Sequence, residues 1–151
     1  MSTETKIQLQ KCFDLLAKIQ AEYPNGEFGR EMIHGDMDFR FKRIKEMRDE
    51  LETFPDAVHK FTRFIDAIHV PEKTVKSIFQ RTLKEPERFS ILKGLSFLER
   101  RKMIERWATE FETSAGNINE LLTRARLAGI LDDKYILKTK YQEVANAFLE
   151  L

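Results

Sequence analysis

The chain has 151 residues, 42% hydrophobic and 34% charged, with a formal charge of +1. Those proportions, with a mean hydropathy of −0.47, fit a soluble, helix-rich globular protein and exclude a global basic field that would draw it onto nucleic acid. A single cysteine, Cys12, excludes an internal disulfide and a cysteine-built zinc site. No apolar run approaches membrane-spanning length, and the polar start MSTETKIQLQ is no secretory signal, so a cytoplasmic protein is expected. The length allows one domain, or two small subdomains, with a real core.

Thr3 or Thr5 can cap a first helix running to about Tyr23, with Leu9, Cys12, Phe13, Leu16, Ile19 and Tyr23 on one stripe. Pro24-Asn25-Gly26 is turn chemistry and ends it. A short helical turn between Gly29 and Gly35 is one reading of the next stretch. Met37, Phe39 and Phe41 alternate with Asp38 and Arg40 as a strand would. Met37, Phe41, Ile44, Met47 or Arg48, Leu51 and Phe54 also fit a helix, which is preferred because no strand partner lies nearby. Asp56 is expected to cap a third helix carrying Val58, Phe61, Phe64, Ile65 and Ile68. Pro71 is placed at the first position of the next helix, with Val75, Ile78, Phe79 and Leu83, until Glu85-Pro86 interrupts. A short segment with Phe89, Ile91 and Leu92 leads to Gly94. Ser96 and Glu99 then form a capping-box pair opening a long helix that ends near Phe111. Asn117 and Glu120 repeat that pairing before another helix. Thr139 and Gln142 can cap a last one bearing Val144, Ala145, Phe148 and Leu149. The fold class is therefore all-α, a compact bundle of about seven or eight helices. A division into residues 1–70 and 71–151 is drawn near Val70-Pro71 or Glu85-Pro86, with a single domain over 1–151 as the other option.

The stretch Ile104–Leu131 carries the most information. Ile104, Trp107, Ala108 and Phe111 fall on the first helix, and Ile118, Leu121, Leu122 and Ala125 on the second, across Thr113-Ser114-Ala115-Gly116. Ala108 is small where two crossing helices touch, and Ile118 lies ten residues later, where the second packs back. This spacing resembles the helix-turn-helix of DNA-binding proteins, whose second helix enters the major groove. Ala128-Gly129-Ile130-Leu131 is similar to the point where winged-helix domains leave the recognition helix, with Tyr135-Ile136-Leu137 as the strand that follows. The resemblance covers the last third of the chain. It implies that Ser114, Gly116, Asn119, Glu120 and Thr123 face outward, with Asn119 able to read a base edge. Departures are also visible. Glu112 stands where such turns usually carry glycine, the first helix runs longer than the motif needs, and residues 130–139 leave little length for a wing.

From Trp107 to Asp133 there are two arginines, Arg124 and Arg126, against five acidic residues, a balance that opposes phosphate contact. Positive charge collects elsewhere. Arg40, Lys42, Arg43, Lys45 and Arg48 face only Glu46 in their segment. Pro71 to Arg106 holds ten basic residues, among them Arg100, Arg101, Lys102 and Arg106, against five acidic ones. If the two stretches share a face they make a phosphate-binding surface; otherwise they are solvated helix faces with i,i+4 pairs, or a dock for an acidic protein.

Ile33-His34-Gly35-Asp36 superficially resembles the catalytic loop of small-molecule phosphotransferases, but no metal-binding asparagine follows and no glycine-rich loop precedes it. No polar pocket is expected around His34, Asp36 and Asp38. His59 and His69 lack a second ligand pair at metal spacing, and each reads as a surface or helix-end residue. Cys12 lies on an apolar stripe, where an inert buried thiol is expected. No nucleophile–base set assembles, so no enzyme activity, metal or cofactor is expected.

The leading expectation is a nucleic-acid-associated accessory or regulatory protein. It would contact phosphates of DNA or RNA through Arg40, Lys42, Arg43, Lys45, Arg100, Arg101, Lys102, Arg106 and Arg124, with Asn119 at the bases. The alternative is a protein-binding helical module, such as an adaptor, inhibitor or small subunit. Twelve phenylalanines can exceed what one small core hides, which leaves a homodimer open; a membrane partner is not expected.

Overall fold

A computed structural model of the protein describes residues 2–22 and 37–151, with side chains from 3–22 and 41–151. Seven α-helices and two 3-10 turns follow one another among the described residues, and no strand does, as an all-α bundle requires. The expectations for Tyr23 to Asp36, including the Gly29–Gly35 turn and the His34 loop, lie outside the described residues. So does the side chain of Asp38.

Helix α1 spans Ser2–Ala21 and buries Leu9, Cys12, Leu15 and Ile19, while Phe13 and Leu16 are only partly covered. The stripe is thus rotated slightly toward Leu15. Neither Thr3 nor Thr5 caps this helix, because it already begins at Ser2; Thr5 is buried and donates to Glu143 Oε1 at 3.2 Å. Helix α2, Met37–Leu51, resolves the strand-or-helix alternative. Its 3.6-residue period buries Ile44, Met47 and Leu51 and leaves Phe41 exposed.

Helix α3 covers Asp56–Ala67 and α4 covers Glu72–Lys84, and each is preceded by a proline, Pro55 and Pro71, at the cap position. A proline there loses no helical hydrogen bond, having no N–H to offer. Asp56 is therefore the first helical residue and not the cap, and Pro71 sits one place before the helix that it was expected to open. The Asp56 carboxylate instead pairs with Lys60 at 3.2 Å and with Lys140 across the fold. Both lysines hold it below the usual carboxylate range, Lys140 most strongly.

Phe61 of α3 is fully buried and meets Phe79 of α4 at 5.4 Å and Phe148 edge-on at 5.5 Å. Phe13 of α1 reaches the Phe148 ring at 6.1 Å. This aromatic hub joins four helices, because α7, Gln142–Leu149, packs on α1, α3 and α4 while α1 also packs on α2 and α3. Tilted and edge-on ring pairs of this kind add about 0.5–1.5 kcal/mol each beyond area burial. Thr62 and Thr82, buried in the same region, donate to the carbonyls of Val58 and Ile78 one turn back, so neither hydroxyl is left unsatisfied. Cys12 is fully buried, and burial pushes its thiol up to about 11, the expected inert state.

After α4 a 3-10 turn, Ser90–Gly94, buries Phe89 just before it and Leu92 within it. Helix α5 spans Phe97–Glu110 and opens with the expected capping box: Glu99 N–H donates to Ser96 Oγ, and Ser96 N–H donates to the Glu99 carboxylate. Helix α6 spans Ala115–Leu127, but its cap is Ser114, which accepts from Asn117 N–H at 3.1 Å. The Asn117–Glu120 pairing expected from sequence does not form the cap, since Ser114 takes that place three residues earlier. Nor does a side chain of Thr139 or Gln142 cap α7; a 3-10 turn over Thr139–Tyr141 leads into it directly.

Candidate functional site

Between α5 and α6 the chain turns in four residues. Glu112 N–H donates to Thr109 O at 3.3 Å and Thr113 N–H to Ala108 O at 2.9 Å. These are the paired five-to-two and six-to-one bonds of a Schellman cap, which needs a left-handed residue just past the helix. Glu112 supplies it with φ +53°. The backbone at the position that such turns usually give to glycine is thus left-handed, although the residue has a side chain. Trp107, Ile118, Leu121, Leu122 and Ala125 are buried around the crossing, and Ala108 and Phe111 pack against them. Trp107 and Phe111 both close on Phe89, at 4.9 and 6.2 Å. Thr113 is tied down twice more, by Thr74 of α4 at 3.2 Å and by the Asn117 amide at 2.9 Å.

Beyond α6 the chain makes a second Schellman cap at Gly129 (φ +77°), then a tight loop closed by one antiparallel bridge between Leu131 and Leu137. The length objection to a wing is answered only to that extent, by a single bridge and not a pair of strands. Asp132 organises the loop by accepting from Lys134 N–H at 2.8 Å and Ile136 N–H at 3.1 Å. That leaves Tyr135 left-handed at φ +61°, with its ring buried under α5 and α6.

Sequence reading placed Tyr135 in a strand after α6 and missed its part as a brace. Arg100 of α5 donates to its hydroxyl at 2.9 Å and to Asn119 Oδ1 at 3.4 Å. The guanidinium groups of Arg100 and Arg126 lie 5.5 and 5.4 Å from its ring centroid. One side chain therefore braces both helices of the pair and the loop that follows.

The residues expected to bind nucleic acid fall into three groups. Lys42, Arg43 and Lys45 are exposed on α2, with Arg43 paired to Glu22 at 3.3 Å; the side chain of Arg40 lies outside the described residues. Arg101, Lys102 and Arg106 are exposed on α5, where Arg101 pairs with Glu105 at 3.4 Å. Arg100 is half-buried and engaged as just described. On α6, Asn119 and Arg124 are exposed, Arg124 with Glu120 at 3.6 Å. The basic stretches of α2 and α5 sit on separate helix pairs, α2 against α1 and α5 against α6.

The outward residues of α6 match expectation in part: Ser114, Gly116 and Asn119 are exposed, whereas Glu120 and Thr123 are half-buried. Open grooves flank that face. One, of about 360 Å³, runs between α5 and α6 past Phe97, Arg101, Ile104, Ala115 and Gly116. The other, of about 730 Å³, lies between the end of α3 and α6, from Phe64 and Ile68 to Thr123 and Leu127.

Among the described residues no three His, Cys, Asp or Glu side chains gather as a metal site, and no helix is long and apolar enough to cross a membrane. His69 is exposed as expected, but His59 is mostly covered and its buried Nδ1 has no hydrogen-bond partner. Burial, and then the Arg63 charge, holds its pKa below the ordinary value. Compared with protein-family models, with curated proteins and with solved structures, the chain matches none of them.

Proposed function

We infer that the protein is a nucleic-acid-associated accessory protein, with α5 and α6 forming a helix-turn-helix that offers α6 to a DNA groove. The observation that carries this reading is the left-handed Glu112 turn, braced on both sides, which leaves Gly116 and Asn119 exposed on α6. Asn119 is the base-reading residue of the proposal, and Arg101, Lys102, Arg106 and Arg124 are its phosphate contacts. Lys102 and Arg106 form no ion pair among the described residues, so they meet a phosphate without first giving up a carboxylate.

A second reading, a protein-binding helical module, draws support from the intermixing of charge. Arg81, Arg88, Arg101 and Arg124 all face glutamates within 4 Å, which weakens the positive field that a phosphate backbone would feel.

Fluorescence anisotropy with labelled duplex DNA, single-stranded DNA and RNA over a salt series separates the two. For about four phosphate contacts, duplex affinity falls about a hundredfold between 50 and 200 mM salt. Lys102→Glu with Arg106→Glu then abolishes binding, and Asn119→Ala reduces sequence preference more than affinity. Absence of binding at low salt sinks the nucleic-acid reading and leaves the protein-binding one.

A further inference from the structure

Helix α5 begins with two large apolar residues that the fold does not use. Phe97 is 80% exposed and Leu98 is 64% exposed, although burying side chains of this size is among the main sources of a fold's stability. Single exposed apolar residues are ordinary, but these are adjacent and each heads a row along the helix. Phe97, Arg101 and Glu105 lie at i, i+4 and i+8, and Leu98, Lys102 and Arg106 form the neighbouring row, all six exposed. The first row borders the groove floored by Ile104, Ala115 and Gly116.

The charges beside this apolar end have a definite balance. Glu99 is engaged in the capping box with Ser96, and Glu105 is paired with Arg101. Lys102 and Arg106 have no ion-pair partner among the described residues, so the net field beside Phe97 and Leu98 is positive. An occupant that complements it brings apolar side chains and carboxylates together. A lipid surface with anionic headgroups shares that chemistry in part, but it cannot fill a concave groove between two helices.

We propose that the outer face of α5 at Phe97, Leu98, Lys102 and Arg106, with the groove beside it, docks an acidic amphipathic helix from a protein partner. Its apolar anchors sit on Phe97 and Leu98 and enter the groove, and its carboxylates face Lys102 and Arg106. The proposal does not rest on nucleic-acid binding.

The test uses the 151-residue chain and a fluorescein-labelled helical peptide with leucine at i, i+3, i+4 and i+7 and glutamate at its exposed positions. A matched peptide with lysine for glutamate and vesicles rich in phosphatidylglycerol are run beside it. The glutamate peptide is expected to bind, and the lysine peptide and vesicles are not. Phe97→Ser with Leu98→Ser weakens the peptide by about tenfold or more, and so does Lys102→Glu with Arg106→Glu. Because Phe97 and Leu98 are exposed, the serine variant keeps the parent's thermal midpoint, and its duplex-DNA binding is unchanged. Failure of the glutamate peptide to bind overturns the proposal, as does equal binding by the lysine peptide, insensitivity to the serine pair, or binding of vesicles in its place.

Discussion

Helices α5 and α6 end in the same way and are built from different residues. Both finish in a Schellman cap with the same pair of backbone bonds, Thr113 to Ala108 and Glu112 to Thr109 at one end, Ile130 to Ala125 and Gly129 to Arg126 at the other. At the second cap the left-handed residue is Gly129, which has no Cβ to clash. At the first it is Glu112, whose Cβ crowds the adjacent carbonyl and costs about 1–2 kcal/mol. The residues that follow differ as well. Ile130 is fully buried beside Ala125, whereas Thr113 is held by side-chain hydrogen bonds to Thr74 and Asn117. One cap is held by apolar burial and a permissive backbone, the other by polar bonds acting against backbone strain. The strained cap is the one that lies between α5 and α6, where the chain turns from one helix into the other.

Substitutions at matched positions probe that difference. Ile130→Ala has the largest effect, a loss of about 2–5 kcal/mol in urea denaturation, because it leaves a cavity in the core. A loss of less than about 1 kcal/mol would mean that burial does not hold this cap. Gly129→Glu comes next, destabilising by about 1 kcal/mol through the backbone once the lower entropy of the unfolded chain is discounted, since its nearest neighbour is the flexible end of Lys138. Thr113→Ala removes both polar ties and lowers stability by about 1 kcal/mol. The smallest change has the opposite sign. Glu112→Gly relieves the strain and raises stability by about 0.5–1 kcal/mol, after the added flexibility of glycine in the unfolded chain is discounted. If it destabilises instead, the Glu112 side chain contributes more than its backbone conformation costs.

These comparisons belong at pH 7 or above, because His59 adds a pH dependence of its own. Its folded pKa lies below the ordinary 6.5, so the unfolded chain takes up the proton first as the pH falls. The stability that neutral His59 contributes is full above 6.5 and is lost as the pH falls through that value toward the folded pKa. In a series of thermal melts, His59→Gln should flatten the slope below pH 6.5; an unchanged slope would assign it to other groups.

What could be read from the sequence follows how far apart the interacting residues lie. The Ser96–Glu99 capping box was legible because both partners lie within one turn. The cap of α6 was misplaced by an equally local competition: Ser114 and Asn117 both suit an N-cap, and nothing in the residue types ranks them. The rotation of α1 toward Leu15 was hidden for a similar reason, since Leu15 and Leu16 lie on opposite flanks of the stripe through Cys12 and Ile19 and the packing of the other helices decides between them. Glu112 was identified by its place in the turn, although its residue type argues against a left-handed backbone. Tyr135 was beyond reach: its value lies in a hydroxyl contact to Arg100, 35 residues earlier. The exposure of Phe97 and Leu98 was equally invisible, because residue type alone predicts their burial.

The packing of α1 against α7 also bears on synthesis. Thr5 and Glu143, hydrogen-bonded to each other, are 138 residues apart. A nascent chain emerging from the ribosome can form α3 and α4 early, but Phe61 and Phe79 wait for Phe148 to complete their ring cluster. Until α7 emerges, the part of α1 that packs on it and the Phe148 side of the aromatic hub stay open to water. The contacts of α1, α3 and α4 with α7 therefore form only once α7 has been made, and the surface left uncovered until then is what chaperones and proteases can hold.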